Sequence, residues 1–231
     1  MMTDVTIIIP SFGQEQYLGE AIDSALQQSM ASEIVVVDDG SNDGSLLIAQ
    51  DYAKHGLIKL VQQVNKGLAS ARNTGIMNAT GDYILPLDAD DILKANCVER
   101  ILEIAGKTDA DVIAPSIHCF GLGEVTTILM DNPKLEDFKH GNRLAYCMAI
   151  KRSVLHETGG YSPKMDALGG WEDLHLTYDL LTRGKKIVTI PEPLVYYRTK
   201  AESMWTKAEQ NKEALWDQLV KDFPHVASHR K

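Results

Sequence analysis

The chain has 231 residues, 44% of them apolar, and a formal net charge of −9. That is long enough for one substantial α/β core, and too acidic for a nucleic-acid backbone to be its main partner. No apolar run approaches the ~20 residues of a membrane span, and Met1-Met2-Thr3-Asp4 does not begin a signal peptide.

These features predict a cytoplasmic protein without a transmembrane segment, with peripheral association at the inner face of a membrane left open. Cys97, Cys119 and Cys147 are odd in number and lack metal-type spacing, which predicts reduced, buried thiols.

Strand and helix signals alternate from the start. Val5 to Ile9 is a β-rich run that Pro10 is expected to stop. Gln16 to Gln28 carries apolar residues at helical spacing (Leu18, Ala21, Ile22, Ala25, Leu26). Ile34 to Val37 is a continuous apolar strand, the pattern of a parallel strand covered on both faces. Asp43 is placed to cap a following helix that Gly56 ends.

Ile58 to Val61, a helix over Ala69 to Ala79 and a strand over Tyr83 to Leu87 follow. Val98, Ile101, Leu102 and Ala105 mark one face of the next helix, and Val112 to Ala114 begins a fifth strand. Residues 116 to 142 are poorly patterned and read as an irregular excursion.

Further on, Tyr146 to Ile150, Ile187 to Ile190 and Leu194 to Tyr197 read as short strands. Asp173 to Thr182 reads as a helix closed by Gly184. Leu215, Leu219 and Phe223, with Trp216 and Val220, make Ala208 to Phe223 an amphipathic helix expected to dock on the domain.

With no linker or repeat, the expectation is one domain over 1–231. Residues 1–115, 116–200 and 201–231 are expected to divide it into a regular βα half, a less regular half and a helical tail.

The βαβα order predicts a mostly parallel sheet with helices on both faces. Ligands in such sheets bind at the strands' carboxyl ends. Ser11 to Gln14, Asp38 to Gly44 and Asp88 to Asp91 all sit there, so they are expected to share one crevice.

Asp88 and Asp90 follow an apolar strand, and period two puts them on one side of an extended chain. Three acids in four residues call for a cation. Hard oxygen ligands suit Mg²⁺ or Mn²⁺ bridging to a diphosphate, although an Asp-rich turn has the same composition.

In Asp38-Asp39-Gly40-Ser41-Asn42-Asp43-Gly44 an EF-hand register fails, because Gln50 stands where Glu is required. A carboxylate there can accept from a base N–H or a ribose hydroxyl, or cap a helix. Asn65-Lys66-Gly67 precedes a helix, so its backbone N–H groups face forward. Arg72, one turn in, is either a charge for an anionic ligand or an ordinary ion-pair partner. Gly169-Gly170-Trp171-Glu172-Asp173 reads either as a helix cap or as an aromatic sugar platform beside a base.

Taken together, these residues resemble the family-two glycosyltransferases of GT-A fold over about Val5 to Arg198. The elements that carry the resemblance are Ile9-Pro10-Ser11-Phe12, Val37-Asp38-Asp39-Gly40-Ser41, Asn65-Lys66-Gly67 and Ala71-Arg72-Asn73. They continue with Leu87-Asp88-Ala89-Asp90-Asp91, Gly159-Gly160-Tyr161, Trp171-Glu172-Asp173 and Tyr197-Arg198.

The resemblance implies an inverting transfer of a hexosyl-type sugar from a nucleotide-diphospho-sugar, commonly UDP-linked, to a carbohydrate or lipid-linked acceptor hydroxyl. By that resemblance Pro10, Ser11, Phe12, Asp39 and Arg72 line the nucleotide pocket. Asp88 meets ribose or metal, and Asp90 holds Mg²⁺ or Mn²⁺. Gly170 and Trp171 face the acceptor, Asp173 is the general base, and Glu172 orients the acceptor.

Relatives often carry a His two residues past the Tyr-Arg pair. Here Lys200 stands there, and with Arg198 it becomes a candidate diphosphate contact. His225 and His229 are candidates for the missing ligand. Two rivals are a sugar nucleotidyltransferase, disfavoured by the absence of Lys or Arg in Ser11 to Gln16, and a nucleotide-sugar-binding domain without turnover.

Overall fold

The computed structural model describes residues 4–140, 144–201 and 208–229. Its first half alternates β1 (Val5–Ser11), α1 (Leu18–Leu26), β2 (Glu33–Asp38), α2 (Ser45–Lys54), β3 (Lys59–Gln62), α3 (Leu68–Asn78) and β4 (Tyr83–Pro86). Strands β3-β2-β1-β4 lie side by side, all parallel. Every residue of β1 is buried, as the unbroken apolar run requires of a strand covered on both faces.

Pro10 does not stop β1. It stays in register with Val37, and Ser11 with Asp38. Strand alternation puts Pro10 on the β4 side, where pairing has already ended at Ile8–Pro86, so its missing N–H leaves no ladder bond unmade.

The second half contains β5 (Ile92–Leu93), α4 (Cys97–Lys107), β6 (Val112–Gly121), β7 (Val125–Thr127), β8 (Ala149–Lys151) and α5 (Arg152–Thr158). After these come α6 (Pro163–Ala167), α7 (Glu172–Thr182), β9 (Ile187–Thr199) and α8 (Lys212–Asp222). The sheet continues β4-β8-β6-β9-β5, with β8 antiparallel to both neighbours and β6 parallel to β9.

Two expectations are corrected here. The stretch after Ser116 is not irregular throughout, since β6 runs on to Gly121 and turns back into β7. The two short strands before and after Pro191 and Pro193 are one strand, β9. Register shifts opposite Pro115 and Ser116 absorb the irregularity that the prolines introduce.

The tail helix α8 docks as its apolar stripe predicts, burying Leu215, Trp216 and Leu219. Trp216 meets Trp171 edge-on at 5.4 Å, and Phe223 stacks on Tyr178 of α7 at 6.3 Å. His175 and Asp222 join the two helices at 3.1 Å. The cysteines are free, with Cys97 and Cys147 buried and Cys119 partly so. Among the described residues no helix is long and apolar enough to cross a membrane.

Candidate active site

Two of the three loops expected to share a crevice, those after β1 and β2, are stitched together. Asp39 donates its N–H to the Ser11 carbonyl at 2.8 Å. Gly13, Gln14 and Glu15 donate theirs to Ser41 Oγ, Ser45 Oγ and Asp43 Oδ2. Asp43 also accepts from Ser45 N–H in the first turn of α2, the capping role read from the sequence. Phe12 stands 48% exposed at this rim.

Asp39 is engaged by its own chain. Its carboxylate accepts from Lys66 and Gly67 N–H at 2.9 Å each and from Gln63 Nε2 at 2.7 Å. The N–H of Ala69, next along, goes to Asp166 Oδ2 at 3.2 Å. The amides of Lys66, Gly67 and Ala69 around the start of α3 therefore face two protein carboxylates. Asp38, by contrast, is buried with Oδ1 unpartnered, and so is its register partner Ser11 with Oγ. A buried polar atom without a partner is costly, so these two mark where a ligand's polar groups would fit.

Arg72 is the centre of the site. It is 1% exposed, and its guanidinium bonds Asp88 Oδ1 and Glu172 Oε1 at 2.7 Å each. The rings of Tyr146 and Tyr161 flank it, 5.3 and 5.0 Å from centroid to guanidinium carbon. Burial works against its charge, but Asp88 and Glu172 more than restore it and hold its pKa well above the ordinary value. One cation thus ties the acidic turn to the start of α7, two segments that no sequence spacing relates. Burial raises Asp88 although Arg72 opposes the shift.

The three acids of the turn go separate ways. Asp88 takes Arg72. Asp90 Oδ2 takes Lys200 Nζ at 2.5 Å. Asp91 turns inward, accepting from the Tyr146 hydroxyl at 2.6 Å and from Arg198 N–H at 2.7 Å. Burial and the neighbouring charge of Asp88 push Asp91 up to about 8. The cation that the turn calls for is supplied in part by the chain itself.

Arg198 donates through Nε to the Asp90 carbonyl at 2.8 Å and reaches Glu20 Oε2 at 2.5 Å. Its guanidinium lies over the rings of Tyr17 and Phe120. Asp88 and Asp90 each keep one oxygen with no hydrogen bond among the described residues. Two carboxylate oxygens fit Mg²⁺ or Mn²⁺, which commonly completes its shell with substrate phosphates. Among the described residues no three His, Cys, Asp or Glu form a metal cage by themselves.

At the start of α7, Trp171 adopts φ +66° and Gly170 φ +148°. A Cβ on Gly170 would lie 3.2 Å from the Ala208 methyl. Trp171 leans on Trp216, so docking of the tail helix fixes the indole. Asp173 follows, its Oδ1 accepting Leu174 N–H at 2.7 Å. Burial first, then the charge of Glu172, raise it to about 6.

His225 bonds Thr182 at the far end of α7, about 13 Å along the helix axis from Asp173. It is therefore no ligand for this loop, and the His229 side chain lies outside the described residues. The sequence reading missed Tyr146, Tyr161 and Asp166. Each meets a partner far away in the chain, Tyr146 and Tyr161 at Arg72 and Asp166 at Ala69, and the only sequence hint was Tyr161 in its Gly-Gly-Tyr turn.

Solved structures share this architecture. That of S. aureus TarS in complex with UDP aligns with TM-score 0.74 at 20% identity, covering 97% of this chain and 71% of that one. The mannosyltransferase PcManGT from Pyrobaculum calidifontis, in complex with GDP-Man and Mn²⁺, aligns with TM-score 0.69 at 19% identity, covering 96% of this chain and 65% of that one. The fold is therefore that of a GT-A glycosyltransferase.

Residues 6–166 match the model for glycosyl transferase family 2, and the chain belongs to that family. The uncharacterized glycosyltransferase EpsJ of Bacillus subtilis is 42% identical over 115 residues, 49% of this chain and 33% of EpsJ. The chain thus spans about a third of that relative's length.

Proposed function

We propose that the chain transfers a sugar, with inversion, from a nucleotide-diphospho-sugar to a carbohydrate or lipid-linked acceptor hydroxyl. Residues 1–115 receive the donor and 116–200 the acceptor within one domain. The observation that carries this reading is the Asp88–Arg72–Glu172 bridge. It fixes the acidic turn and the base-bearing helix in one rigid relation, as in-line displacement between a diphosphate and an incoming alcohol requires.

In this reading Phe12 offers the base an exposed ring beside Pro10 and Ser11. Ser11 Oγ and Asp38 Oδ1 meet the polar edge of base or ribose. Asp39 acts by holding the Asn65-Lys66-Gly67 turn. Arg72 positions Asp88 and Glu172 rather than meeting phosphate itself. Asp88 and Asp90 would hold Mg²⁺ or Mn²⁺, and a bound divalent ion offsets the charge that develops on the departing diphosphate.

Asp173 takes the proton of the attacking hydroxyl, its raised pKa bringing it near working pH. Trp171 and Gly170 shape the acceptor face, and Glu172 keeps the base helix in place through Arg72.

The test is thermal denaturation with nucleoside diphosphates and nucleotide sugars in the presence of Mn²⁺. At ~100 Kd a cognate nucleotide stabilises by about 2.7 kcal/mol, a rise of roughly 5–10 °C in Tm for a chain of this size. No shift with UDP, GDP or any nucleotide sugar would remove the donor reading.

A further inference from the structure

Lys200 sits where the site has most need of a movable cation. Its ammonium lies 2.5 Å from Asp90 Oδ2 and 5.1 Å from the centroid of the Tyr17 ring. The backbone beside it is pinned to the same acidic turn, since Arg198 N–H and Nε bond Asp91 Oδ1 and the Asp90 carbonyl. The ammonium is therefore delivered to Asp90 by an anchored strand end.

The Lys200 side chain itself is 29% exposed and Asp90 20%, so the pair is open to solvent. An ammonium has three donors and no lone pair, so it can offset Asp90 but cannot share a metal ion with it. A divalent ion on Asp90 would stand within a few ångströms of the ammonium, and the two cations repel. Arg72 cannot compensate, because both of its carboxylates hold it.

We propose that Lys200 is the resident counter-cation of Asp90. It yields that carboxylate to a divalent ion only when a nucleoside diphosphate arrives to receive the ammonium. Metal and donor then enter the site together, and Asp90 is closed to free metal. The charges balance in this exchange: Asp90 trades a monovalent for a divalent cation, and the displaced ammonium pairs with a diphosphate oxygen on the same side. The inference rests on the nucleotide-diphosphate reading above and adds the order of binding and the residue that sets it.

Titration of the full chain with Mn²⁺, read by the electron paramagnetic resonance signal of free Mn²⁺, tests it without any turnover. Wild type is expected to bind Mn²⁺ at least tenfold more tightly with UDP or GDP present than without. Lys200→Met, which keeps the stem beside Tyr17, is expected to bind Mn²⁺ alone at least tenfold more tightly than wild type. It is also expected to bind metal-free nucleoside diphosphate several-fold more weakly. Lys200→Arg, which keeps the charge, should behave as wild type, and Asp90→Asn should abolish the gain when combined with Lys200→Met.

Equal Mn²⁺ affinity in wild type and Lys200→Met, both folded by circular dichroism, overturns the proposal. So does tight binding of Mn²⁺ to wild type without nucleotide. If UDP and GDP stabilise the chain but no variant binds Mn²⁺, the exchange is wrong while the donor reading stands. If no nucleotide binds at all, both fall.

Discussion

Replacing Arg72 with alanine is expected to cost roughly 3–5 kcal/mol of stability, the penalty for leaving buried carboxylates without their cation. For a chain of this size that is a fall in Tm of about 6–20 °C. The residue is 1% exposed and serves Asp88 and Glu172 at once. Its loss strands two acids, one of which burial already raises, and opens a gap between Tyr146 and Tyr161.

The pH dependence has a definite sign. Without the guanidinium that opposes it, the burial-raised Asp88 carboxyl rises further in the folded state. The variant's deficit is then smallest at acid pH, where Asp88 is protonated in both states, and widens as pH rises through its folded value. Calorimetric scans of wild type and variant from pH 5 to 8 read both effects. A Tm within 2 °C of wild type at pH 8 would show that Arg72 is not what holds the two segments together.

Replacing Asp173 with asparagine is expected to lower kcat by about 10²–10⁴, the contribution of a positioned base, with donor affinity unchanged. The wild-type rate should climb as pH passes through about 6, where Asp173 loses its proton, and the residual activity of the variant should lack that limb.

Stability separates this loss from unfolding. An acid raised by burial and by Glu172 costs the folded state more as pH rises through its pKa. The neutral amide is therefore expected to leave the protein at least as stable as wild type at pH 8. Turnover by the variant near the wild-type rate would take Asp173 out of the base role.

Much of this was readable because it is local. The strands β1, β2 and β4 and the loops after them follow from apolar runs ended by Asp, Ser and Gly. Their convergence follows from the rule that ligands meet parallel strands at the carboxyl end. The docked tail helix followed from its i, i+4 stripe.

What escaped depends on contacts between distant residues. Asp88 and Glu172 lie far apart in the chain, and no spacing shows that the Arg72 guanidinium satisfies them together. The three acids of the turn call for positive charge, and what the sequence could not show is that Arg72 and Lys200 bring some of it from the chain itself. Asp39 looked like the ligand-facing member of its pair. Its carboxylate instead holds the amides of Lys66 and Gly67, and the orphaned oxygen belongs to Asp38. Long β6 and β9 were hidden by prolines that a shifted register tolerates.

The central claim is that one crevice holds a nucleotide-diphospho-sugar and delivers its sugar to a hydroxyl. The most direct measurement is release of nucleoside diphosphate from a panel of nucleotide sugars, with Mn²⁺ and an acceptor panel, by wild type and by Asp90→Asn. The account predicts release with at least one sugar nucleotide, accelerated by an acceptor and lost in the variant. Release that ignores Asp90, or pyrophosphate exchange with a nucleoside triphosphate in its place, would contradict it.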